Sequence, residues 1–304
     1  MAGAVPDHLF TEPALAELYD RWAPARQRGD FGFYLPLVMS AASVLDIGCG
    51  TGELLRVARQ AGHTGWLCGL DPAPAMLAVA RRQPDVEWVL GDAASAAWRQ
   101  AFDLVVMTGH AFQVLVSDDE VRAALAAVRV ALAPGGRFAF ETRNPAARAW
   151  EDWVPGNAVQ ATGPTGAVVT MAHQVVAPFD GATVSFTSTY TSPDWPDPQV
   201  SRSTLRSSAP LNWPRSWPEL AWPYRSSSAT GTARRSPAAA PRSSPSPDWR
   251  SAQVLRMLMA RAMTSAPTAS DTADWTSMVS FAHRASGITS VGLNAVALVN
   301  DMYR

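Results

Sequence analysis

Residues Val44–Glu53, with the sequence VLDIGCGTGE, decide the fold of this chain. An apolar, β-branched run leads into the stretch, three glycines occupy alternate positions within it, and apolar residues at helical spacing follow it. This pattern predicts a strand that enters a tight glycine turn and continues into a helix, as nucleotide-binding turns do. Glycine suits such a turn because it tolerates a positive φ and lets a ligand approach the backbone.

Two features separate this turn from that of a dinucleotide-binding enzyme. The glycines follow G-x-G-x-G spacing instead of G-x-G-x-x-G, and Asp46 stands directly before them. A carboxylate at that position repels a pyrophosphate but can hold the ammonium group of an amino-acid moiety. An NAD(P)-dependent oxidoreductase therefore remains an alternative, but a disfavoured one.

Four more apolar segments follow at the spacing of a βαβαβ unit. Strands are predicted over Trp66–Asp71, Val86–Ala93 and Phe102–Met107, and Leu132–Glu141 reads as a helix end, a Pro-Gly-Gly turn and a fifth strand. In a parallel sheet the carboxyl ends of the strands form the crevice where ligands bind. The acid that ends the second strand, Asp71, is expected to accept hydrogen bonds from ribose hydroxyls.

The motifs over residues 40–145, including LAPGGRFAFE at 132–141, together resemble those of class I S-adenosylmethionine (SAM) methyltransferases of the small-molecule type. The resemblance implies an α/β fold with a doubly wound, mostly parallel, Rossmann-like sheet, and SAM as cofactor. It also implies that Asp92 and the amide of Ala93 bind the adenine edge. The predicted cofactor contacts of the sheet are Asp46, Gly48, Cys49, Gly50, Gly52, Asp71, Pro72, Met76, Asp92, Ala93 and Thr108.

Residues 1–40 are predicted to form helices over the cofactor site. One helix is expected from Pro13 to Trp22, and a second over Phe31–Met39 with Asp30 as its N-cap. In relatives of the family a tyrosine from these helices reaches the cofactor, and Tyr19 and Tyr34 are the candidates here. Each tyrosine could equally be a half-buried aromatic that packs on the domain.

The segment after the fourth strand carries the candidate catalytic residue, His110. Topology places it beside the transferable methyl group, where an imidazole of pKa about 6.5 could act as a general base. A histidine that only packs at the rim of the pocket explains it equally well, since methyl transfer needs a base only when the acceptor must first lose a proton. Glu141 and Arg143, at the end of the fifth strand, could orient a polar acceptor.

The organisation predicted for the chain has four parts. Residues 41–163 form the SAM-binding α/β domain, after the N-terminal helices of residues 1–40. Residues 164–205 form an antiparallel β cap, in which a hairpin joins Val168–Val176 to Ala182–Tyr190 and Val200–Leu205 adds a third strand. The cap resembles the small sheet that many small-molecule methyltransferases place over the acceptor.

Residues 206–304 fit neither a linker nor a folded domain. Residues 207–250 contain eight prolines and ten serines, typical of disorder, but also four tryptophans, which disordered segments lack. When read one base earlier, codons for Ser227–Ala233 can encode V-V-G-D-W-D-G, and the neighbouring codons can encode a helix and a further strand. We interpret this region as an aberrant, out-of-frame and disordered tail; sequencing the gene around codon 206 tests this. The tail would then be poorly ordered or unpaired with the sheet, and the apolar edge at Phe138–Phe140 would stay open. We therefore expect a chain that is marginally stable and weakly active or inactive.

Composition favours a cytoplasmic enzyme with a small-molecule substrate. The net charge of −1 provides no basic surface for nucleic acid, and no apolar run reaches the roughly 18 residues of a membrane span. Met1–Val5 does not begin a signal peptide. Two cysteines, Cys49 and Cys68, predict neither a disulfide framework nor a metal site. The sequence leaves the acceptor and the oligomeric state open.

The function predicted from the sequence is SAM-dependent methyl transfer to a small molecule. A non-catalytic SAM-binding protein, or a methyltransferase inactivated by its tail, is the first alternative. The oxidoreductase is the second.

Overall fold

The glycine turn joins the first strand of a central sheet to a helix, as the sequence predicts. The computed structural model describes residues 6–22, 24–25, 28–143, 145–207, 224–227 and 296–299. The α-helices of these residues are α1 (His8–Thr11), α2 (Pro13–Ala16), α3 (Tyr19–Trp22), α4 (Phe31–Ser40), α5 (Glu53–Gln60), α6 (Pro74–Ala80) and α7 (Asp118–Ala131). The strands are β1 (Ser43–Ile47), β2 (Trp66–Asp71), β3 (Glu87–Leu90), β4 (Phe102–Met107), β5 (Leu132–Glu141), β6 (Val159–Thr162), β7 (Val168–Ala177), β8 (Thr183–Thr191), β9 (Gln199–Arg206), β10 (Tyr224–Ser227) and β11 (Val296–Val299).

The central sheet has the order β10-β11-β5-β4-β1-β2-β3. Strands β1 to β5 are mutually parallel, so their carboxyl ends lie along one edge. The chain crosses from β3 on one side of β1 to β4 on the other, which creates the crevice where ligands bind in doubly wound sheets. The predicted α/β fold is confirmed.

Helices cover both faces of this sheet. On one face, α7 packs Val121 and Val128 against Phe102 and Phe138. On the other face α4 and α5 pack against the sheet, with Tyr34 in the centre. Burial on both faces explains why the strands read as nearly continuous apolar runs.

Three local expectations differ from the structure. The single helix expected from Pro13 to Trp22 is divided into α2 and α3. Asp30 precedes α4, but its side chain makes no capping hydrogen bond and pairs with Arg28 instead. The Pro-Gly-Gly turn does not precede β5 but lies within it: Phe102 pairs with Leu132, whereas Leu104 pairs with Arg137, so the extra residues of β5 form a bulge. A bulge keeps the strand paired on both sides of the turn.

The small sheet is antiparallel, with the order β6-β7-β8-β9, as predicted for a β cap. Asp180 stabilises the hairpin turn because its Oδ1 accepts hydrogen bonds from the amides of Ala182 and Thr183 at 2.9 and 2.7 Å. The structure adds β6, whose residues the sequence analysis left in the α/β domain. The buried side chain of Tyr190 packs against Leu15 and Leu18, which attaches this sheet to the N-terminal helices.

Two short strands from beyond residue 206 join the edge of the central sheet. β11 runs antiparallel to β5, with Ala297 opposite Phe140, and β10 pairs with β11. The expectation that the chain beyond residue 206 is unpaired with the sheet is therefore wrong for Tyr224–Ser227 and Val296–Val299. These strands cover an edge of β5 that would otherwise be open, so the predicted instability loses that structural basis. The reading-frame interpretation stays a prediction, and the rest of 208–304 lies outside the described residues.

Candidate active site

The glycine turn folds back over the end of β2. The amides of Gly48 and Cys49 donate hydrogen bonds to the carbonyl of Leu70 at 2.8 and 3.2 Å. A Cβ built on Gly48 would lie 2.7 Å from the Cβ of Ala111, whereas one on Gly50 would meet nothing within 4 Å. The open space beside Gly50, with its φ of +56°, is what a ligand needs to contact the backbone.

The last glycine of the turn serves packing. A Cβ on Gly52 would lie 2.2 Å from the indole ring of Trp88, and one on Gly69 would lie 2.5 Å from it. The indole nitrogen of Trp88 donates to the carbonyl of Gln83 at 2.9 Å, which holds the ring in place. Gly52 is thus required for the packing of α5 against β3, and its role as a cofactor contact stays a prediction.

Asp71 is tied to the turn by its own carboxylate. Oδ2 accepts a hydrogen bond from the amide of Gly50 at 2.8 Å, and Oδ1 accepts one from the amide of Ala73 at 2.8 Å. Burial raises the pKa of Asp71, and the two amides oppose that effect. Each carboxylate oxygen retains a second acceptor position, so the ribose contact predicted for this residue remains compatible with the structure.

The next predicted contacts surround this carboxylate. Pro72 is exposed beside it, whereas Met76 is buried beneath Tyr19 and Ala73. Tyr19 also packs against Phe10, with 6.0 Å between ring centroids. The structure therefore brings Tyr19 to the same end of β2 as the predicted ribose site.

The end of β3 lies beside that of β2. The amide of Gly91 donates to the carbonyl of Asp71 at 3.0 Å. Asp92 caps the short 3-10 helix Ala93–Ser95, since its Oδ1 accepts from the amide of Ser95 at 2.8 Å, and Ala93 is buried in the core. The predicted adenine contacts are thus held in a defined position, but nothing in their own hydrogen bonding identifies adenine.

Asp46 is a buried acid whose Oδ1 accepts no hydrogen bond in the described part of the chain. Only 1 % of the residue is exposed, and Oδ1 has no hydrogen-bond partner among the described residues. Burial raises its pKa to about 8; Arg28 opposes this rise, and Asp71 and Asp30 add to it. Leaving a buried carboxylate oxygen unpaired is unfavourable, so the position suits a ligand that brings a cation or a donor.

Tyr34 presents a second unpaired group. It is fully buried in the core, and its hydroxyl has no partner among the described residues. Burial raises its pKa well above the usual value, and the charges of Glu141, Asp30 and Asp46 add to the rise. The aromatic ring therefore packs in the core while the hydroxyl group lies near the acids of the site.

Arg28 is a residue that sequence reasoning missed. Its Nε donates to Oδ1 of Asp30 at 2.8 Å and its Nη2 to Oδ2 at 2.5 Å, and the guanidinium lies 4.6 Å from the ring centroid of Phe31. A Cβ on Gly109 would lie 3.3 Å from Nη2, which places this cation over the turn after β4. The Arg-x-Asp spacing before α4 was the only feature of the sequence that could have indicated this ion pair.

Polar residues of the glycine motif hold the N-terminal segment over the turn. The hydroxyl of Thr51 donates to Oδ1 of Asp20 at 2.6 Å, and Oε1 of Glu53 accepts from the amide of Ala25 at 2.8 Å. These contacts give the Thr and Glu of the motif a structural role.

His110 lies in a turn that the end of β5 stabilises. Gly109 and His110 both have positive φ, +62° and +67°. The amide of His110 donates to Oε1 of Glu141 at 3.2 Å, and its Nδ1 lies 3.8 Å from the same oxygen with no hydrogen-bond partner in the described chain. The imidazole is 30 % exposed; burial, then Arg143 and Arg28, lower its pKa well below the usual value. A neutral imidazole with an unpaired nitrogen can accept a proton. Thr108, before this turn, is buried.

Glu141 is a second buried acid of the site. Only 3 % of it is exposed, and Oε2 has no partner within the described residues. Burial raises its pKa to about 7, Asp30 adds to the rise, and Arg28 opposes it. One oxygen thus stabilises the turn of His110, and the other remains without a donor.

Residues 44–136 match the family model described as "Methyltransferase domain". The matched segment is thus similar to a methyltransferase domain. Its first residue is the first residue of the glycine motif, and its end lies in the bulge of β5.

Curated methyltransferases match about a third of the chain. A 2-phytyl-1,4-naphtoquinone methyltransferase of Thermosynechococcus vestitus is 36 % identical over 104 residues, 33 % of this chain and 45 % of that protein. A ubiquinone biosynthesis O-methyltransferase of Methylobacterium nodulans is 35 % identical over 121 residues, 38 % of this chain and 46 % of that protein. The chain thus matches less than half the length of these relatives.

Solved structures share the fold over a larger part of the chain. SAM-bound CalS10, an amino pentose methyltransferase from Micromonospora echinaspora, superposes with a TM-score of 0.52 at 23 % identity, over 69 % of this chain and 90 % of its own. The sugar N-methyltransferase KedS8 from a Streptoalloteichus species gives a TM-score of 0.57 at 18 % identity, over 77 % and 93 % of the two chains.

SAM is the cofactor of such domains, and the residues of this site fit it. The unpaired oxygen of Asp46 meets the need of an α-ammonium group, and the space beside Gly50 leaves room for the amino-acid moiety. Within the described residues no helix is long and apolar enough to span a membrane. No group of three or more His, Cys, Asp or Glu in that part of the chain is arranged to hold a metal ion.

Proposed function

We propose that this protein is a SAM-dependent methyltransferase that transfers a methyl group to a small-molecule acceptor. The observation that carries the proposal is the buried carboxylate of Asp46, unpaired at Oδ1, directly before a glycine turn that is open at Gly50. A cationic ligand stabilises the ionised form of this buried carboxyl group, whereas a pyrophosphate would oppose its ionisation. The same observation weighs against the oxidoreductase alternative.

Each end of the cofactor has a proposed binding group. Asp46 would bind the ammonium group, and the guanidinium of Arg28, the nearby cation, would bind the carboxylate of the methionine part. Asp71 would accept the ribose hydroxyls, and Asp92 with the amide of Ala93 would bind the adenine edge. Tyr19 and Tyr34, the tyrosines of the N-terminal segment, would enclose the site together with Gly48, Cys49, Pro72, Met76 and Thr108.

The reaction would be an in-line displacement at the sulfonium methyl, which SAM supplies when bound. The protein contributes alignment of the acceptor lone pair and exclusion of water. His110 would remove a proton when the acceptor must lose one, and its lowered pKa keeps it neutral and ready to accept that proton. Glu141 holds the turn that carries His110.

A small molecule is the acceptor that the chain favours. The net charge of −1 gives no electrostatic attraction to nucleic acid. The hydrogen bond from Gln113 to the carbonyl of Arg206 joins the small sheet to the segment after β4, and we expect this sheet to cover a compact acceptor. We also propose a cytoplasmic location, on the basis of composition.

Calorimetry with SAM and with NADH, each at about 100 μM for a Kd in the micromolar range, tests the proposal. We expect SAM to bind and NADH not to bind. Binding of NADH alone would overturn the cofactor assignment. SAM binding without S-adenosylhomocysteine formation from any offered acceptor would support the non-catalytic alternative.

A further inference from the structure

Arg143 is a partly buried cation at the end of β5 with few partners. Its Nη1 donates to Oε1 of Gln113 at 2.9 Å, and its guanidinium lies 5.3 Å from the ring centroid of Trp153. A guanidinium carries five N–H donors, so most of them have no partner among the described residues. Burial lowers the pKa of Arg143 to about 10, whereas Glu141 and Tyr19 oppose that effect.

Two other arginines at low exposure are paired with acids. The side chains of Arg28 and Arg206, 17 % and 13 % exposed, form ion pairs with Asp30 and Asp118 at 2.5 and 2.6 Å. Arg143 has no carboxylate within 4.0 Å in the described part of the chain. A partly buried cation normally has an anion beside it, so the missing partner is the informative feature.

Gln113 holds the guanidinium in a fixed direction. It is 1 % exposed, and its Nε2 donates to the carbonyl of Arg206 at 2.6 Å, so its Oε1 must face Arg143. The cation thus rests on an amide fixed by the last residue of β9. Such a preorganised donor loses little conformational entropy when it binds an oxyanion.

Arg143 is electrostatically coupled to residues of both sheets. Its charge lowers the pKa of both His110, at the end of β4, and His173, in the small sheet, although burial is the larger cause for each. Three rings form an apolar wall beside it: Trp153 lies 4.6 Å from Phe186, and Phe186 lies 5.6 Å from His173, between ring centroids. The cation therefore stands between the candidate base and an aromatic surface.

We propose that Arg143, oriented by Gln113, binds an anionic oxygen of the methyl acceptor, a carboxylate or an acidic hydroxyl, whose apolar body packs on Trp153 and Phe186. This inference rests on the proposed methyl transfer and specifies the class of acceptor. Arg143 acts as a specificity-determining residue. An amine acceptor, by contrast, would be repelled by the guanidinium when protonated.

The test is a screen of matched acceptors with SAM: benzoate-, phenol-, benzamide- and benzylamine-type compounds that share a ring and differ in the polar group. S-adenosylhomocysteine release measures turnover. We expect turnover with the carboxylate or the phenol set and little with amides and amines; which of the two sets reacts identifies the source of the oxyanion. Preferred turnover of amines or amides would overturn the inference.

Variants separate binding of the oxyanion from a general loss of structure. For the best acceptor, Arg143→Met should raise KM about 10- to 100-fold, the range expected for a lost charge-assisted hydrogen bond, with the SAM Kd within about twofold of wild type. Arg143→Lys should retain part of the affinity, since it keeps the charge but not the planar fork. Arg148→Met is the control: that side chain is exposed, pairs with Glu151 and should leave KM unchanged.

Two further results are informative. An unchanged KM in Arg143→Met would overturn the inference while leaving the proposed function intact. Failure of the wild-type chain to bind SAM would instead overturn the proposed function.

Discussion

The Oδ2 oxygen of Asp71 accepts a hydrogen bond from the amide of Gly50 at 2.8 Å. This contact joins the acid that ends the second strand to the middle of the turn that follows the first. Two motifs that lie 21 residues apart in the sequence are thus parts of one structure. Any ligand that contacts one of them is positioned by the other.

Replacing Asp71 by Ala should weaken SAM binding by about 1–3 kcal/mol, because the proposed ribose contact and the support of the turn are lost together. Calorimetry measures the change. Asp71→Asn is the matched variant: its amide oxygen can still accept one backbone hydrogen bond, so the loss should be smaller. An unchanged affinity in the Ala variant would show that β2 does not end at the cofactor.

Gly50→Ala should weaken SAM binding more than tenfold, and Gly50→Val should weaken it further, since the added atoms enter the space proposed for the ligand. Gly135 provides the control. Both glycines have positive φ and open space around a built Cβ, so both substitutions carry a similar backbone strain of about 1–2 kcal/mol. Comparison of SAM affinity and Tm separates the effects: Tm should fall in both variants, and affinity only at Gly50.

Stability without ligand should fall as pH rises. The pKa of Asp46 is raised to about 8 in the folded chain from a usual value of 3.8. The folded state therefore holds this proton more tightly than the unfolded state, and the free energy of unfolding decreases from about pH 4 up to pH 8, where the loss is complete. Thermal melts between pH 5 and pH 9 should show a falling Tm, and Asp46→Asn should reduce the slope.

Bound SAM should change this pH dependence. A cation at Asp46 favours the ionised carboxylate, so SAM affinity should rise over the same pH interval in the wild-type chain and stay flat in Asp46→Asn. A SAM affinity that falls with pH in the wild-type chain would contradict the placement of the ammonium group at this residue.

His110→Asn should lower kcat by about 10²-fold or more if the acceptor must be deprotonated, the usual contribution of a general base. Asparagine is the best replacement because it tolerates the positive φ of this position. SAM affinity should remain unchanged. If kcat stays within a few-fold of wild type across the pH range, the imidazole only packs at the rim of the pocket.

Leu298→Pro tests the pairing of β11. This residue lies opposite Ala139 of β5 and Arg225 of β10, so its strand is paired on both sides. Proline removes a ladder hydrogen bond from a central strand and should lower Tm by several degrees or cause aggregation. Proline at the exposed Ala147 should have little effect on Tm. An unchanged Tm in Leu298→Pro would mean that β5 is effectively the edge of the sheet.

The elements around the proposed cofactor site were predicted well, because the sequence patterns that mark them involve neighbouring residues. Strand, glycine turn and helix follow one another within Val44–Gln60, and a strand that ends in an acid is visible at Asp71. The hairpin at Asp180 was predictable for the same reason, since a turn is determined by adjacent residues. The small sheet's strand β6 was missed because a short strand that is mostly exposed has no clear pattern.

The contacts among the residues on the acceptor side of the site could not be predicted, because these residues come from distant segments. Arg28 and Glu141 act on each other's pKa although they are far apart in the chain. The sequence named Arg143 as a residue that could orient a polar acceptor, but only the structure shows that its neighbour is an amide, not a carboxylate. The pairing of Val296–Val299 with β5 is also a long-range contact, and nothing in either strand specifies the other.

The fold class, the strands along the chain and the position of the glycine turn were visible in the sequence. Hydrophobic periodicity, glycine and strand-ending acids act over a few residues, and they are sufficient for those features. Which charges are buried together, and which of them lack a partner, became visible only in the folded chain. A pKa shift or an unpaired donor depends on the local dielectric and on neighbours brought together by folding, which no single segment contains.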